Sequence, residues 1–89
     1  MLLPAVLRFN REAIGGKWEK LAEILGGAPD GKVDALNRDI GLPTTLSAMA
    51  VSAEQLPGIA AAALKDHCHA TNPRRASEAD YMALLKEAF

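Results

Sequence analysis

The chain has 89 residues, 49% of them hydrophobic and 24% charged, which is the balance of one folded globular domain and leaves no room for two. Aromatic residues make up only 4% and the apolar residues are mostly alanine and leucine, so the composition favours helices over sheet. A formal net charge of −1, without a long run of either sign, argues against a nucleic-acid partner. A single cysteine, no signal peptide and no apolar stretch near the ~20 residues of a membrane span lead us to expect a cytoplasmic protein without a membrane partner.

Apolar spacing and helix-end signals predict five helices in residues 1–89, which we expect to form one all-α domain, an irregular bundle of short helices. In chain order, the helices are predicted at residues 3–12, 17–25, 32–40, 56–67 and 77–89. The pair Gly15-Gly16 separates the first two, and residues 26–31 are expected to be a loop because of their glycine and proline content. Gly41 and Pro43 end the third helix.

Two pairs of residues have the spacing of capping boxes, in which a side chain at each end of the first helical turn satisfies a backbone N–H. Ser52 with Gln55 precedes the fourth helix, and Ser77 with Asp80 precedes the fifth. The apolar residues expected on the inner faces include Trp18, Leu21, Leu25, Val33, Leu36, Ile40, Leu56, Ile59, Ala60, Ala63, Leu64, Tyr81, Leu84, Leu85 and Ala88.

The densest group of chemically versatile side chains is residues 66–69, Asp-His-Cys-His. Imidazole and thiolate suit zinc or iron, so one interpretation makes His67, Cys68 and His69 metal ligands. On a helix, positions two apart differ by about 200°, which points the two histidines to opposite sides unless the helix end unwinds. Because no further cysteine or histidine completes the ligand set, we predict no metal ligand in this chain.

Two other candidates have simpler structural explanations. A nucleophilic Cys68 needs a base beside its sulfur, but sequence neighbours on a helix do not face each other, so we expect a buried structural cysteine. A histidine beside it would then cap the end of the fourth helix. Arg74-Arg75 suits a phosphate or carboxylate, but we prefer a solvated loop or an ion pair. With no paired carboxylates and no glycine-rich phosphate loop, we predict no catalytic or cofactor-binding residue.

Four stretches, taken together, resemble the C-terminal end of the iron-containing alcohol dehydrogenases (group III). They are LLPAVLRFN at residues 2–10, GLPTTLSAMAV at 41–51, LPGIAAAALKD at 56–66 and TNPRRASEADYMALLKEAF at 71–89. Their order and spacing extend the resemblance over almost the whole chain. Two departures stand out: the region between Gly26 and Asp39 is shorter than usual, and Ala50 occupies a position where the family commonly has glycine.

The resemblance implies the C-terminal portion of a larger two-domain enzyme, in which an α/β nucleotide-binding domain precedes a helical domain. Such enzymes hold iron or another divalent metal between the domains and use NAD(P) to interconvert alcohols and carbonyl compounds. One aspartate and three histidines bind the metal, and the last histidine precedes the LLPAVLRFN stretch, so no ligand position falls in this chain. The segment around Cys68 resembles one that approaches the substrate cavity, and we expect Cys68 to line that cavity.

Two hypotheses about function follow. In the first, the chain is the C-terminal helical part of a dehydrogenase, inactive alone and dependent on the remainder of that enzyme for iron and NAD(P). In the second, it is a stand-alone helical module that binds a partner or itself through an exposed apolar face. A native species several times heavier than 9.4 kDa would favour the first, and concentration-dependent self-association would favour the second.

Overall fold

The structure, a computed structural model, describes residues 1–89 and consists of five α-helices and three short 3₁₀ segments, without a strand. The α-helices are α1 (Leu3–Ile14), α2 (Lys17–Leu25), α3 (Pro29–Asp39), α4 (Leu56–Lys65) and α5 (Glu78–Ala88). The 3₁₀ segments are Ser47–Met49, Ala53–Gln55 and His67–Thr71. The all-α prediction is confirmed, and no helix is both long and apolar enough to cross a membrane.

Two of the differences between the predicted and the observed helix boundaries have a local cause. Helix α3 begins at Pro29, inside the predicted loop, because proline has a helical φ and lies in the first turn, where its missing N–H is not needed. Helix α4 ends at Lys65 because Asp66 adopts an extended backbone conformation and its carboxylate accepts the backbone N–H of Cys68. The residues after Asp66 therefore form a 3₁₀ turn.

The hydrophobic core lies between α4, α5 and the segment before the first 3₁₀ turn. Its buried residues are Leu46, Leu56, Ala60, Leu85 and Ala88. The backbone N–H of Leu46 donates to the Ala88 carbonyl at 2.8 Å, and the Ser47 hydroxyl donates to the Phe89 carbonyl at 2.7 Å. These bonds satisfy carbonyls that the end of α5 leaves unpaired, so one segment both fills the core and caps its central helix.

Helix α1 packs on α3 and α5, and its residue Arg8 forms ion pairs with both of these helices. Its guanidinium donates to Asp30 at 3.0 Å and, through Nε, to Glu87 at 2.7 Å. Burial by itself would raise the pKa of Asp30, but the hydrogen bond from Arg8, together with backbone N–H groups at the start of α3 and the charge of Arg8, lowers the pKa overall. Helices α1 and α4 pack on α5 without packing on each other, which leaves a groove between them.

The molecule is thin and exposes much apolar surface. It measures 38 × 30 × 18 Å and has an accessible surface of 5874 Å², whereas about 5000 Å² is usual for a compact protein of this mass. Leu36 and Ile40 are 56% and 60% exposed, so the prediction that they are buried is wrong. The reason is that α3 packs only on α1 and α2, and no other element covers its opposite side.

Candidate functional site

An open cleft of about 290 Å³ lies between α1, the His67–Thr71 turn and α5. Most of its lining is apolar, with Val6 and Phe9 on one wall and Leu84 on the other. Its polar groups come from Asp66, Cys68, His69, Asn72 and Tyr81. A concave, mostly apolar cleft with a few polar groups is the usual form of a small-molecule site, and this volume suits a small ligand.

A short hydrogen-bonded turn places Cys68 at the cleft. The Asp66 carboxylate accepts the backbone N–H of Cys68 at 2.8 Å, and the Thr71 hydroxyl donates to the Cys68 carbonyl at 3.1 Å. The hydrogen bond from the Cys68 backbone holds the pKa of Asp66 below its usual value, while the Asp66 carboxylate beside the thiol raises the pKa of Cys68. The thiol therefore stays protonated at neutral pH and is not an activated nucleophile.

The structure corrects two expectations about Cys68. The cysteine is exposed rather than buried, and it lies 3.4 Å from the imidazole Nε2 of His67, its neighbour in sequence. The expectation that neighbouring side chains do not face each other assumed an α-helix, whereas this segment is a 3₁₀ turn in which the two side chains are in contact. Cys68 does line the cleft, but whether that cleft holds substrate stays a prediction.

The two histidines diverge. The His67 side chain is 94% exposed, whereas the Nδ1 atom of His69 lies 2.8 Å from the hydroxyl of Tyr81, with the rings 5.6 Å apart. Neither belongs to the last turn of α4, which ends at Lys65, so the prediction that one caps that helix is wrong. The side chains of Asp66, His67 and Cys68 bring one donor atom each within 4.8 Å of one another, all three exposed.

These donors do not fit the iron site that the family resemblance implies. That site needs one aspartate and three histidines, and this sequence has only two histidines, one of them hydrogen-bonded to Tyr81. No residue of the described chain is therefore assigned to iron.

A second polar cluster fixes α1 against the Asn72 turn. Asn10 and Asn72 exchange amide hydrogen bonds of 2.9 and 2.8 Å, and Asn72 also donates to the Arg74 carbonyl. Arg74 donates to the Phe9 carbonyl at 3.1 Å, and its guanidinium lies 4.1 Å from the Phe9 ring centre. Arg74 lies in an exposed loop, as expected, but its partners are a carbonyl and an aromatic ring and not an acidic side chain. The missed signal is Asn10, a polar residue on the apolar face of α1.

The whole chain is similar in sequence to known proteins. The sequence model of the family described as "Fe-containing alcohol dehydrogenase family, C-terminal" matches residues 1–89. Similar proteins include lactaldehyde reductase of Escherichia coli K12 (36% identical), 4-hydroxybutyrate dehydrogenase of Cupriavidus necator (37%) and 1,3-propanediol dehydrogenase of Citrobacter freundii (34%). The alignments include 100%, 99% and 100% of this chain and 26%, 25% and 26% of those proteins. The chain thus spans about a quarter of the length of these relatives.

Proposed function

Because the chain belongs to the Fe-containing alcohol dehydrogenase family, we propose that it serves as the C-terminal helical part of an NAD(P)-dependent enzyme that interconverts small alcohols and carbonyl compounds. The observation that carries this proposal is the match of all 89 residues to the C-terminal part of the family. A single free cysteine agrees with the reducing cytoplasm as the place where the enzyme works.

In the complete enzyme, the cleft beside Cys68 forms one wall of the substrate cavity. Val6, Phe9 and Leu84 present an apolar surface there, which excludes water from the reacting groups and orients a small substrate. The protonated thiol of Cys68 contacts substrate without reacting with it. Iron and the nucleotide are bound by residues outside this chain, because its donors do not fit the metal and it has neither a strand nor a glycine-rich phosphate loop.

The remainder of the dehydrogenase is the proposed partner of the groove between α1 and α4. Its floor and walls are entirely apolar, formed by Leu2, Val6, Ile59, Ala63, Tyr81, Leu84 and Leu85. A groove of this kind suits the apolar stripe of an amphipathic helix. The chain as a whole exposes eleven large apolar side chains, which favours a second candidate, self-association of the chain as an interaction module.

The names of the relatives point to the class of substrate. Lactaldehyde, 4-hydroxybutyrate and 1,3-propanediol are short molecules that carry two oxygen-containing groups. We therefore propose a short oxygenated alcohol or aldehyde as the substrate here, which is compatible with a cleft of about 290 Å³.

The first test is the mass of the native protein in its own cells, detected with an antibody against this chain. Since the chain covers 26% of the relatives, we expect a species about four times heavier than 9.4 kDa that copurifies with dehydrogenase activity. A species of 9.4 kDa that self-associates would instead favour the interaction module.

The second test exchanges the matched C-terminal quarter of E. coli lactaldehyde reductase for residues 1–89. We expect the folded chimera to reduce lactaldehyde, because the substituted residues supply only cavity wall and packing. A chimera that folds, binds iron and lacks all activity would contradict the proposed role.

A further inference from the structure

We propose that His69 and Tyr81 together bind the second, non-reacting hydroxyl group of a neutral hydroxyaldehyde or diol. The inference rests on the proposed function, since it takes the cleft as the substrate cavity. The inference assigns a binding site to one hydroxyl group of the substrate. It also predicts that the enzyme prefers uncharged substrates to acidic ones.

The pair is built from two elements that meet at the cleft. His69 comes from the 3₁₀ turn and Tyr81 from the first turns of α5, twelve residues later. The imidazole Nδ1 and the phenol oxygen are 2.8 Å apart, the rings are tilted by 50°, and both residues are half-buried. Packing and a hydrogen bond thus hold both side chains in place before any ligand arrives.

The other polar groups of the cleft already have partners. The Asn72 amide is hydrogen-bonded to Asn10 and to the Arg74 carbonyl, and the Asp66 carboxylate holds the Cys68 backbone. The Nε2 atom of His69 has no partner within the protein, and the Tyr81 hydroxyl contacts only His69. These two atoms therefore place a hydrogen-bond donor and an acceptor side by side in the cleft, whereas the capacity that the Asp66 carboxylate retains is for accepting only.

The pair matches a hydroxyl group whichever tautomer His69 adopts. If Tyr81 donates to Nδ1, the Nε2–H is a free donor and the phenol oxygen is a free acceptor. If Nδ1–H donates to Tyr81, the Nε2 atom is the free acceptor and the phenol O–H is the free donor. One donor and one acceptor are available in both cases, and a hydroxyl is a group that uses both.

The charge of the cleft favours a neutral ligand over an acid. No lysine or arginine lines it, and the Asp66 carboxylate at its edge is ionised at neutral pH because its pKa is lowered. A carboxylate ligand accepts hydrogen bonds only, so it would leave the acceptor of the pair unused and be repelled by Asp66. The geometry therefore favours substrates of the lactaldehyde and 1,3-propanediol kind over 4-hydroxybutyrate.

The test compares lactaldehyde with propanal, which differ by the one hydroxyl in question, as substrates of the complete dehydrogenase. In His69→Phe and Tyr81→Phe we expect kcat/KM for lactaldehyde to fall about tenfold relative to propanal, the usual effect of losing one uncharged hydrogen bond. His69→Gln, which keeps a donor and an acceptor, should recover part of the loss. The matched control is His67→Phe, because His67 is exposed and does not line the cleft.

The outcomes separate this inference from the proposed function. An equal fall for both substrates in His69→Phe and Tyr81→Phe would mean that the pair is structural, and it would overturn the inference while the dehydrogenase assignment stands. A wild-type enzyme that reduces propanal as well as lactaldehyde, or prefers 4-hydroxybutyrate to 1,3-propanediol, would also overturn it. A complete protein without activity toward any short alcohol or aldehyde would overturn both.

Discussion

The α4–α5 region and the α2–α3 region have similar apolar stripes in sequence but differ in how much of them is buried. In the first, Leu56, Ala60 and Leu85 are 5% exposed or less. In the second, Leu36 is 56% and Ile40 60% exposed. The difference shows that an apolar stripe in the sequence predicts a helix with one apolar face. It does not predict whether another element of the same chain packs on that face and buries it.

Polar contacts partly replace burial in the α2–α3 region. The Arg11 guanidinium lies 4.9 Å from the Trp18 ring centre, and Arg38 pairs with Asp34 at 2.8 Å one turn earlier in α3. Exposed contacts of these kinds contribute roughly 0.5 kcal/mol each, compared with about 2 kcal/mol for a fully buried leucine. The α2–α3 region is therefore less stabilised by burial than the α4–α5 region.

The largest expected effect contrasts Leu85→Ala with Leu36→Ala, the same substitution in the two regions. Leu85 is 5% exposed, so its truncation leaves a cavity and should lower the free energy of unfolding by about 2–4 kcal/mol. Leu36 is 56% exposed, and its truncation should change that free energy by less than about 0.5 kcal/mol. Urea denaturation followed by circular dichroism at 222 nm measures both.

Equal losses in the two variants would contradict the contrast and would mean that the Leu36 side of α3 is covered in solution. Sedimentation at several protein concentrations then identifies self-association as the cause or excludes it.

A smaller effect is expected for the polar junction between α1 and the Asn72 turn. Asn72→Ala leaves the buried amide of Asn10 without its partner, and we expect a loss of about 1–3 kcal/mol in the free energy of unfolding. In a double-mutant cycle, Asn10→Ala should then cause little further loss, with a coupling energy of about 1 kcal/mol. Arg75→Ala, at an exposed neighbour, is the control. Additive losses would show that the two amides act independently.

The features that the sequence predicted depend on residues close together in the chain. The Ser77–Asp80 capping box is present, with the Ser77 N–H donating to the Asp80 carboxylate at 2.8 Å and the Asp80 N–H donating to the Ser77 hydroxyl at 3.2 Å. The features it did not predict join distant residues. Asn10 and Asn72 are 62 positions apart, and Leu36 is exposed because only α1 and α2 pack on α3.

The smallest expected effect on the free energy of unfolding concerns Ala50, a position that both the family resemblance and the backbone geometry single out. This is the only residue other than glycine with a positive φ, at φ 61° and ψ 23°, and it follows the 3₁₀ turn that caps α5. A left-handed conformation costs an alanine roughly 1–2 kcal/mol, whereas a glycine adopts it without that steric cost.

Ala50→Gly should therefore raise the free energy of unfolding, although only modestly. Relief of the left-handed conformation is partly offset by about 0.4–1 kcal/mol of additional backbone entropy in the unfolded chain, which leaves a net gain of about 0.5–1 kcal/mol. Ala48→Gly is the matched control: Ala48 lies in the same 3₁₀ turn with a negative φ, so the entropy loss acts alone and the variant should be destabilised. Urea midpoints that move in opposite directions would show that backbone strain at Ala50 limits the stability of the α4–α5 region. A midpoint that falls in both variants would mean instead that the Ala50 methyl group contributes packing that outweighs the strain.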